Sequence, residues 1–200
     1  MIKVGITGGI GSGKTTVCKV FESIGVPVYY ADKEAKRLMS FDSALKSKIK
    51  TLLGKEAYHR NGRLNRSYVA SIVFRHPQKL EALNQLVHPA VGRDVSQWFD
   101  QLNGRFPYAL YEAALLVENG SYKKLDALIT VSAPLEERIS RVMKRDKVSR
   151  EAVEARINNQ LPQEHKDEVA DFVIQNFGNH SIVQQIWKVH QALLKNSIKR

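Results

Sequence analysis

Cysteine is almost absent from this chain: Cys18 stands alone among 200 residues. No internal disulfide can form, which excludes a stapled secreted scaffold. One cysteine and six scattered histidines also give no spacing for a structural zinc site. No apolar run approaches the ~20 residues needed to cross a bilayer, so no membrane partner is expected. Met1 leads directly into an apolar run, and a cytoplasmic location is expected. Internal repeats and low-complexity tracts are missing, as are a G-x-S-x-G elbow and the H-R-D and D-F-G signatures of protein kinases. Negative charge is in deficit, with 20 acidic against 31 basic side chains and a net charge of +11. That surplus suits nucleic acid, a membrane surface or small polyanions. No Lys/Arg run is long enough to form a tail, and no zinc-finger or RNA-recognition signature occurs, so nucleic acid is not expected as a partner.

What is present begins with an ordinary globular composition, 43% hydrophobic and 8% aromatic. The length suits one compact domain with small insertions. Gly8-Gly9-Ile10-Gly11-Ser12-Gly13-Lys14-Thr15 matches the phosphate-binding pattern G-x-x-x-x-G-K-[ST], with Thr16 behind it. Its flanks fit the pattern. Ile2 to Thr7 reads as a buried strand, and Val17, Val20, Phe21 and Ile24 recur at the spacing of one helix face. Gly25 stands where a helix C-cap belongs, and Cys18 on that helix reads as a small core filler. Glycine lets the loop backbone turn its N–H groups towards phosphates, and the helix N-terminus adds positive potential. Lys14 would meet the β- and γ-phosphates and Thr15 would ligate Mg²⁺. A dinucleotide fingerprint has different glycine spacing and leaves Lys14 unexplained.

Val26 to Tyr30 reads as a second strand, with Asp32 at its carboxyl end, where ligands gather in open parallel sheets. Asp32 either caps a helix from Lys33 to Ser40 or accepts the proton of an attacking hydroxyl. From Ser43 to Asn103 helical patterns follow one another, capped at Asn65, opened at Pro77, interrupted at His88-Pro89 and closed at Gly104. They are either an insertion that holds a second substrate or helical padding. Phe106 to Tyr111 is a third strand, and Glu112 after it resembles a carboxylate of the Mg²⁺ shell. Ala127 to Val131 is a fourth strand, and Pro134 opens a helix through Arg145. Arg138, Arg141 and Arg145 share one face of that helix, either as a solvated stripe or as neutralisers of a transferring phosphoryl group. Ser149 caps a further helix bearing Arg156 and Gln160, which completes a helical hairpin lid. Phe172 to Asn176 is the last strand, and Ile182, Ile186, Val189 and Leu193 mark a closing helix.

In order, Thr7 to Thr16, Ala31-Asp32, Asn61-Gly62-Arg63-Leu64-Asn65-Arg66, Val73-Phe74, His88-Pro89, Leu115-Leu116-Val117-Glu118, Arg138, Arg141, Arg145-Asp146, Arg156-Ile157 with Gln160, Ala170-Asp171 and Asn176 with Gly178 resemble the dephospho-coenzyme A kinase family over essentially the whole chain. The chain departs from that family at Glu112 and Ala114, where an Asp and then a Pro are usual. Glu keeps the charge but reaches one methylene further, and losing the Pro alters stiffness more than chemistry. The resemblance implies an α/β fold: a P-loop kinase core with a parallel sheet (1–31, 105–138 and 170–200), a helical acceptor-binding insertion (32–104) and a helical lid (139–169).

The same resemblance implies ATP-dependent phosphorylation of the ribose 3′-hydroxyl of dephospho-coenzyme A, with Mg²⁺. Asp32, Lys14, Arg138 and Arg141 are then catalytic, Asp32 as the base. ATP falls to Gly9, Gly11, Ser12, Gly13, Lys14, Thr15, Thr16, Arg145 and Asn176, and the metal to Thr15. The acceptor falls to Thr7, Asp32, Arg66, His88 and Glu112. A monomer is expected. The alternatives are another P-loop kinase, acting on a nucleoside monophosphate or small metabolite, and a nucleotide-sensing switch or nucleic-acid binder. A GTPase switch would carry Asn-Lys-x-Asp, which the sequence lacks.

Overall fold

A computed structural model describes residues 1–198. Among them the chain forms five strands and nine α-helices. The first half runs β1 (Ile2–Thr7), α1 (Lys14–Ser23), β2 (Val28–Tyr30), α2 (Ala31–Phe41), α3 (Ser43–Leu53), α4 (Arg66–Arg75) and α5 (Pro77–Leu102). The second runs β3 (Tyr108–Glu112), β4 (Ala127–Ser132), α6 (Leu135–Asp146), α7 (Arg150–Ile157), α8 (Gln163–Glu168), β5 (Phe172–Gln175) and α9 (Ile182–Ile198). Two compact units result: Met1–Tyr29 with the chain from Leu102 onward, and Tyr30–Gln101.

The first unit carries a sheet in the order β2-β3-β1-β4-β5, with β1 parallel to β3 and β4, and β4 parallel to β5. β1 lies in the middle, paired along both edges, and every residue of it but Lys3 is buried, as expected of a central strand in a parallel sheet. Val4 and Ile6 are fully buried, and burying each such side chain contributes about 1.5–3 kcal/mol. The register sets Ile6 opposite Glu112 and Thr7 opposite Thr130. β3 ends opposite Ile6 and β4 runs two residues past Thr130 to Ser132, so the carboxyl ends of the three strands lie at the same end of the sheet, the place where open α/β sheets hold ligands. α1 packs back through Val17, Cys18 and Phe21. Burial pushes the Cys18 thiol well up, with Glu112 and Glu22 adding to the shift and Lys14 opposing it, so Cys18 is an inert core filler. Phe21 meets Tyr108 edge-on at 6.5 Å, and the Tyr108 hydroxyl shares a 2.6 Å hydrogen bond with His190 Nδ1 on α9. No helix among the described residues is long and apolar enough to cross a membrane.

The second unit is helical. Asp42 caps α3 by accepting from Leu45 N at 2.8 Å, and Asn65 caps α4 by accepting from Tyr68 N at 3.2 Å. Arg37 ties α2 to α5 through Glu34 and through Asp94 at 2.7 Å. Two expectations are corrected here. α2 begins at Ala31, so Asp32 lies inside its first turn, and Tyr30 occupies the cap position with no side-chain cap bond. Asp32 is thus no helix cap, although its charge there complements the helix dipole. Nor does His88-Pro89 interrupt the helical pattern, because α5 runs through it without a break. Leu83, Val87, Ala90, Val91 and Val95 stay buried on one stripe across the proline. That burial outweighs the single backbone hydrogen bond Pro89 cannot donate.

Candidate active site

The site grows from the turn between β1 and α1. Lys14 is the first residue of α1, and Gly13 caps the helix in a left-handed conformation at φ 96°. The turn closes on itself, Ser12 N donating to Gly9 O at 3.1 Å and Thr16 N to Gly13 O at 2.9 Å. Lys14 Nζ folds back to donate to the Gly8 carbonyl at 2.8 Å, which holds its ammonium over the loop. Thr15 and Thr16 are exposed at the start of α1. The loop therefore presents helix-terminal amides, an ammonium and a hydroxyl in one place, a surface suited to phosphate.

Arg138 covers the loop from above. The sequence allowed a solvated arginine stripe on α6, but Arg138 is only 6% exposed. A Cβ on Gly11 would lie 2.9 Å from Arg138 Cα, and one on Gly9 would run into the Arg138 guanidinium. The glycines are what allow the arginine and the loop to touch. Burial pushes the guanidinium below its ordinary value, and Glu164 and Asp167 pull it part of the way back. Arg138 Nε is buried with no hydrogen-bond partner. A buried cation short of a partner is costly by several kcal/mol or more, so its presence points to an anionic ligand. Arg141 donates to Glu137 Oε2 at 2.7 Å and to the Asn176 carbonyl at 2.8 Å, leaving its buried Nη1 unpaired. Arg145 is exposed and pairs with Asp146 at 2.7 Å.

Three amide side chains fix the loop. Asn176, just beyond β5, donates from Nδ2 to the Ser12 carbonyl at 2.7 Å. Gln160 accepts from Ile10 N at 2.8 Å and Gln163 from Gly9 N at 2.9 Å. Ile10 also packs against the apolar cluster of Ile139, Val142 and Val153 that joins α6 to α7. Of the remaining expected residues, Thr7 donates its hydroxyl to the Ala114 carbonyl at 3.2 Å. Glu112 ends β3, 9% exposed, and Ser12 Oγ is buried without a partner. Asp32, Arg66 and His88 belong to the second unit: Asp32 in α2, Arg66 opening α4 and His88 in mid-α5, all exposed.

Sequence reasoning missed α8 and the buried residues on it. Gln163 and Lys166 sit in a polar stretch without apolar periodicity, so nothing marked them for burial. The only available cue was Pro162, which suits the edge of a helix. Lys166 is fully buried and paired with Glu118 Oε1 at 2.6 Å, and the same oxygen accepts from Leu161 N at 3.2 Å.

Comparison with known proteins places these features in a family. Residues 2–182 match the family model described as dephospho-CoA kinase. A curated dephospho-CoA kinase of Salinibacter ruber is 42% identical over 186 residues, covering 89% of this chain and 90% of the relative. The crystal structure of TT1252 from Thermus thermophilus superposes with a TM-score of 0.83 at 38% identity, covering 96% of this chain and 97% of that one. A dephospho-CoA kinase structure from Campylobacter jejuni gives a TM-score of 0.73 at 27% identity, covering 97% and 98%.

Proposed function

The chain belongs to the dephospho-CoA kinase family, and on that premise we propose how its own residues carry the reaction. The activity is ATP-dependent phosphorylation of the ribose 3′-hydroxyl of dephospho-coenzyme A, giving coenzyme A and ADP. The observation that carries the assignment is the buried guanidinium of Arg138, its Nε unpaired, laid against a glycine loop that also holds Lys14.

The β-phosphate rests on the amides from Gly11 through Thr16, and Lys14, Arg138 and Arg141 neutralise the γ-phosphoryl group as it transfers. Such preorganised charge in a site shielded from water is the largest contribution protein groups make to phosphoryl transfer. Asn176 holds Ser12 and Arg141 in place, and Arg145 closes over the nucleotide. The 3′-oxygen attacks the γ-phosphorus, the bond to the β,γ-bridging oxygen breaks, and the hydroxyl proton passes to Asp32. Thr7, Arg66, His88 and Glu112 bind the acceptor. The compact helical unit Tyr30–Gln101 supports assigning the acceptor domain to residues 32–104, with the nucleotide core at 1–31, 105–138 and 170–200 and the lid at 139–169.

The oxygen donors suit Mg²⁺, which needs few protein ligands when phosphates supply the rest. The Thr15 hydroxyl at the head of α1, with the Glu112 carboxylate at the end of β3, would hold it, and when bound it offsets phosphate charge. We place the enzyme in the cytoplasm as a monomer.

The test is ADP formation from ATP and Mg²⁺, with and without dephospho-coenzyme A, on wild type and Asp32→Asn. Acceptor-dependent turnover that falls by roughly a hundredfold or more in the variant is the expected result. Turnover that survives would remove Asp32 as the base, and no acceptor-dependent ADP from wild type would overturn the substrate assignment.

A further inference from the structure

We propose, building on the kinase reading above, that Gln163 and Gln160 are positioning residues for the triphosphate. Their side-chain carbonyls hold the leading turn of the phosphate loop, and the acceptor at 163 must be uncharged. Two consecutive loop amides, Gly9 N and Ile10 N, are engaged by two side chains three residues apart. Those amides are thereby committed to the protein, and phosphate is left to the amides from Gly11 onward.

Gln163 is fixed from both ends. While Oε1 accepts from Gly9 N, Nε2 donates to Thr130 Oγ1 at 3.0 Å and to Asp167 Oδ1 at 2.7 Å. A flipped amide would set a donor against the Gly9 N–H and an acceptor against the Asp167 carboxylate, so the orientation is determined. The side chain is only 6% exposed, and the buried Lys166–Glu118 pair anchors the short helix that carries it. The loop's leading turn is thus built onto β4 and α8 through one side chain.

Neutrality follows from what lies beside it. A Cβ on Gly9 would be 3.1 Å from Arg138 Cζ and 3.3 Å from Gln163 Oε1, which puts the guanidinium and the glutamine carbonyl around the same loop residue. A carboxylate at 163 would keep an acceptor for the Gly9 amide but would set its second oxygen, in place of the Nε2 donor, against Asp167 Oδ1, bringing two like charges into contact. It would also pair with Arg138 and present negative charge to the phosphates. Glutamine is long enough to reach the amide and leaves Arg138 available for an anion.

The experiment compares wild type, Gln163→Met, Gln163→Glu and Gln160→Met by calorimetric affinity for ADP and for adenosine, by KM for ATP and for dephospho-coenzyme A, and by thermal melting. Gln160→Met is expected to weaken ADP by about three- to tenfold, the loss of one net hydrogen bond, and Gln163→Met, which gives up three, by at least as much. Gln163→Glu is expected to weaken it by a further factor of about ten. KM for ATP should follow ADP, while adenosine affinity and KM for dephospho-coenzyme A stay within about twofold. The proposal is overturned if both Met variants bind ADP like wild type, if Gln163→Glu binds no worse than Gln163→Met, or if adenosine and dephospho-coenzyme A weaken as much as ADP. Gln160 is partly exposed, so Gln160→Met tests the tether by itself should the buried position not tolerate change. ADP binding needs no acceptor, so a failed substrate assignment, seen as no acceptor-dependent turnover in wild type, is distinguishable from a failed tether.

Discussion

Gly9 and Gly11 stand one residue apart and are required for different reasons. A Cβ on Gly9 would meet the far end of the Arg138 side chain, which can swing away. A Cβ on Gly11 would lie 2.9 Å from Arg138 Cα and 3.0 Å from its carbonyl carbon, and Gly11 holds φ at +81°. Neither the α6 backbone nor that φ can adapt without strain. Gly9→Ala should therefore melt within about 2–4 °C of wild type yet lose roughly a hundredfold in kcat, because Arg138 is displaced from the phosphates. Gly11→Ala should lose about 1–3 kcal/mol of stability. Paired melting and turnover measurements separate the two, and a Gly9→Ala enzyme of full activity would remove Arg138 from the phosphate site. The loop pattern was plain in the sequence, but this division of labour was not. It depends on a side chain from a distant helix that only the folded chain brings to the loop.

The elements were legible where apolar periodicity was strong and obscure where it was absent. α1, α9 and the strands announce themselves through runs such as Ile2-Lys3-Val4-Gly5-Ile6 and the spacing of Ile186, Val189 and Leu193. α8 has no such pattern, because its buried residues are Gln163 and Lys166, satisfied by hydrogen bonds and an ion pair instead of apolar contact. At α5 the sequence rule for proline predicts a break, but the unbroken apolar stripe keeps the helix continuous. Pro89 cannot donate to the Gln85 carbonyl, so the helix carries a local defect in its hydrogen-bond ladder. Pro89→Ala restores the donor and should raise stability by about 1–3 kcal/mol, read as a higher denaturant midpoint at unchanged m-value. An unchanged midpoint would mean that the Gln85 carbonyl already has another partner and that the proline is neutral.

For the molecule as a whole, the order of strands and their register lay beyond the sequence, since a parallel sheet is set by pairings between distant segments. The consequence for stability is clearest where Tyr108 of β3 meets His190 of α9. Burial pushes the His190 imidazole below its ordinary value, while burial raises the Tyr108 hydroxyl so that it stays protonated. The unfolded chain therefore takes up a proton at this histidine more readily than the folded one. Stability from neutral His190 is fully present above its unfolded value of about 6.5 and is lost as pH falls below that value towards the lower folded one. The molecule already carries a charge of +11, and each histidine that protonates adds to its self-repulsion. His190→Gln keeps a polar group of similar reach but cannot titrate. At pH 7.5 it should melt about 2–4 °C below wild type, the equivalent of one hydrogen bond of about 1 kcal/mol. The two melting curves should then converge as pH is lowered to 5, because only wild type loses this contribution. Curves that stay parallel across that range would show that His190 carries the same charge in the folded and unfolded chain.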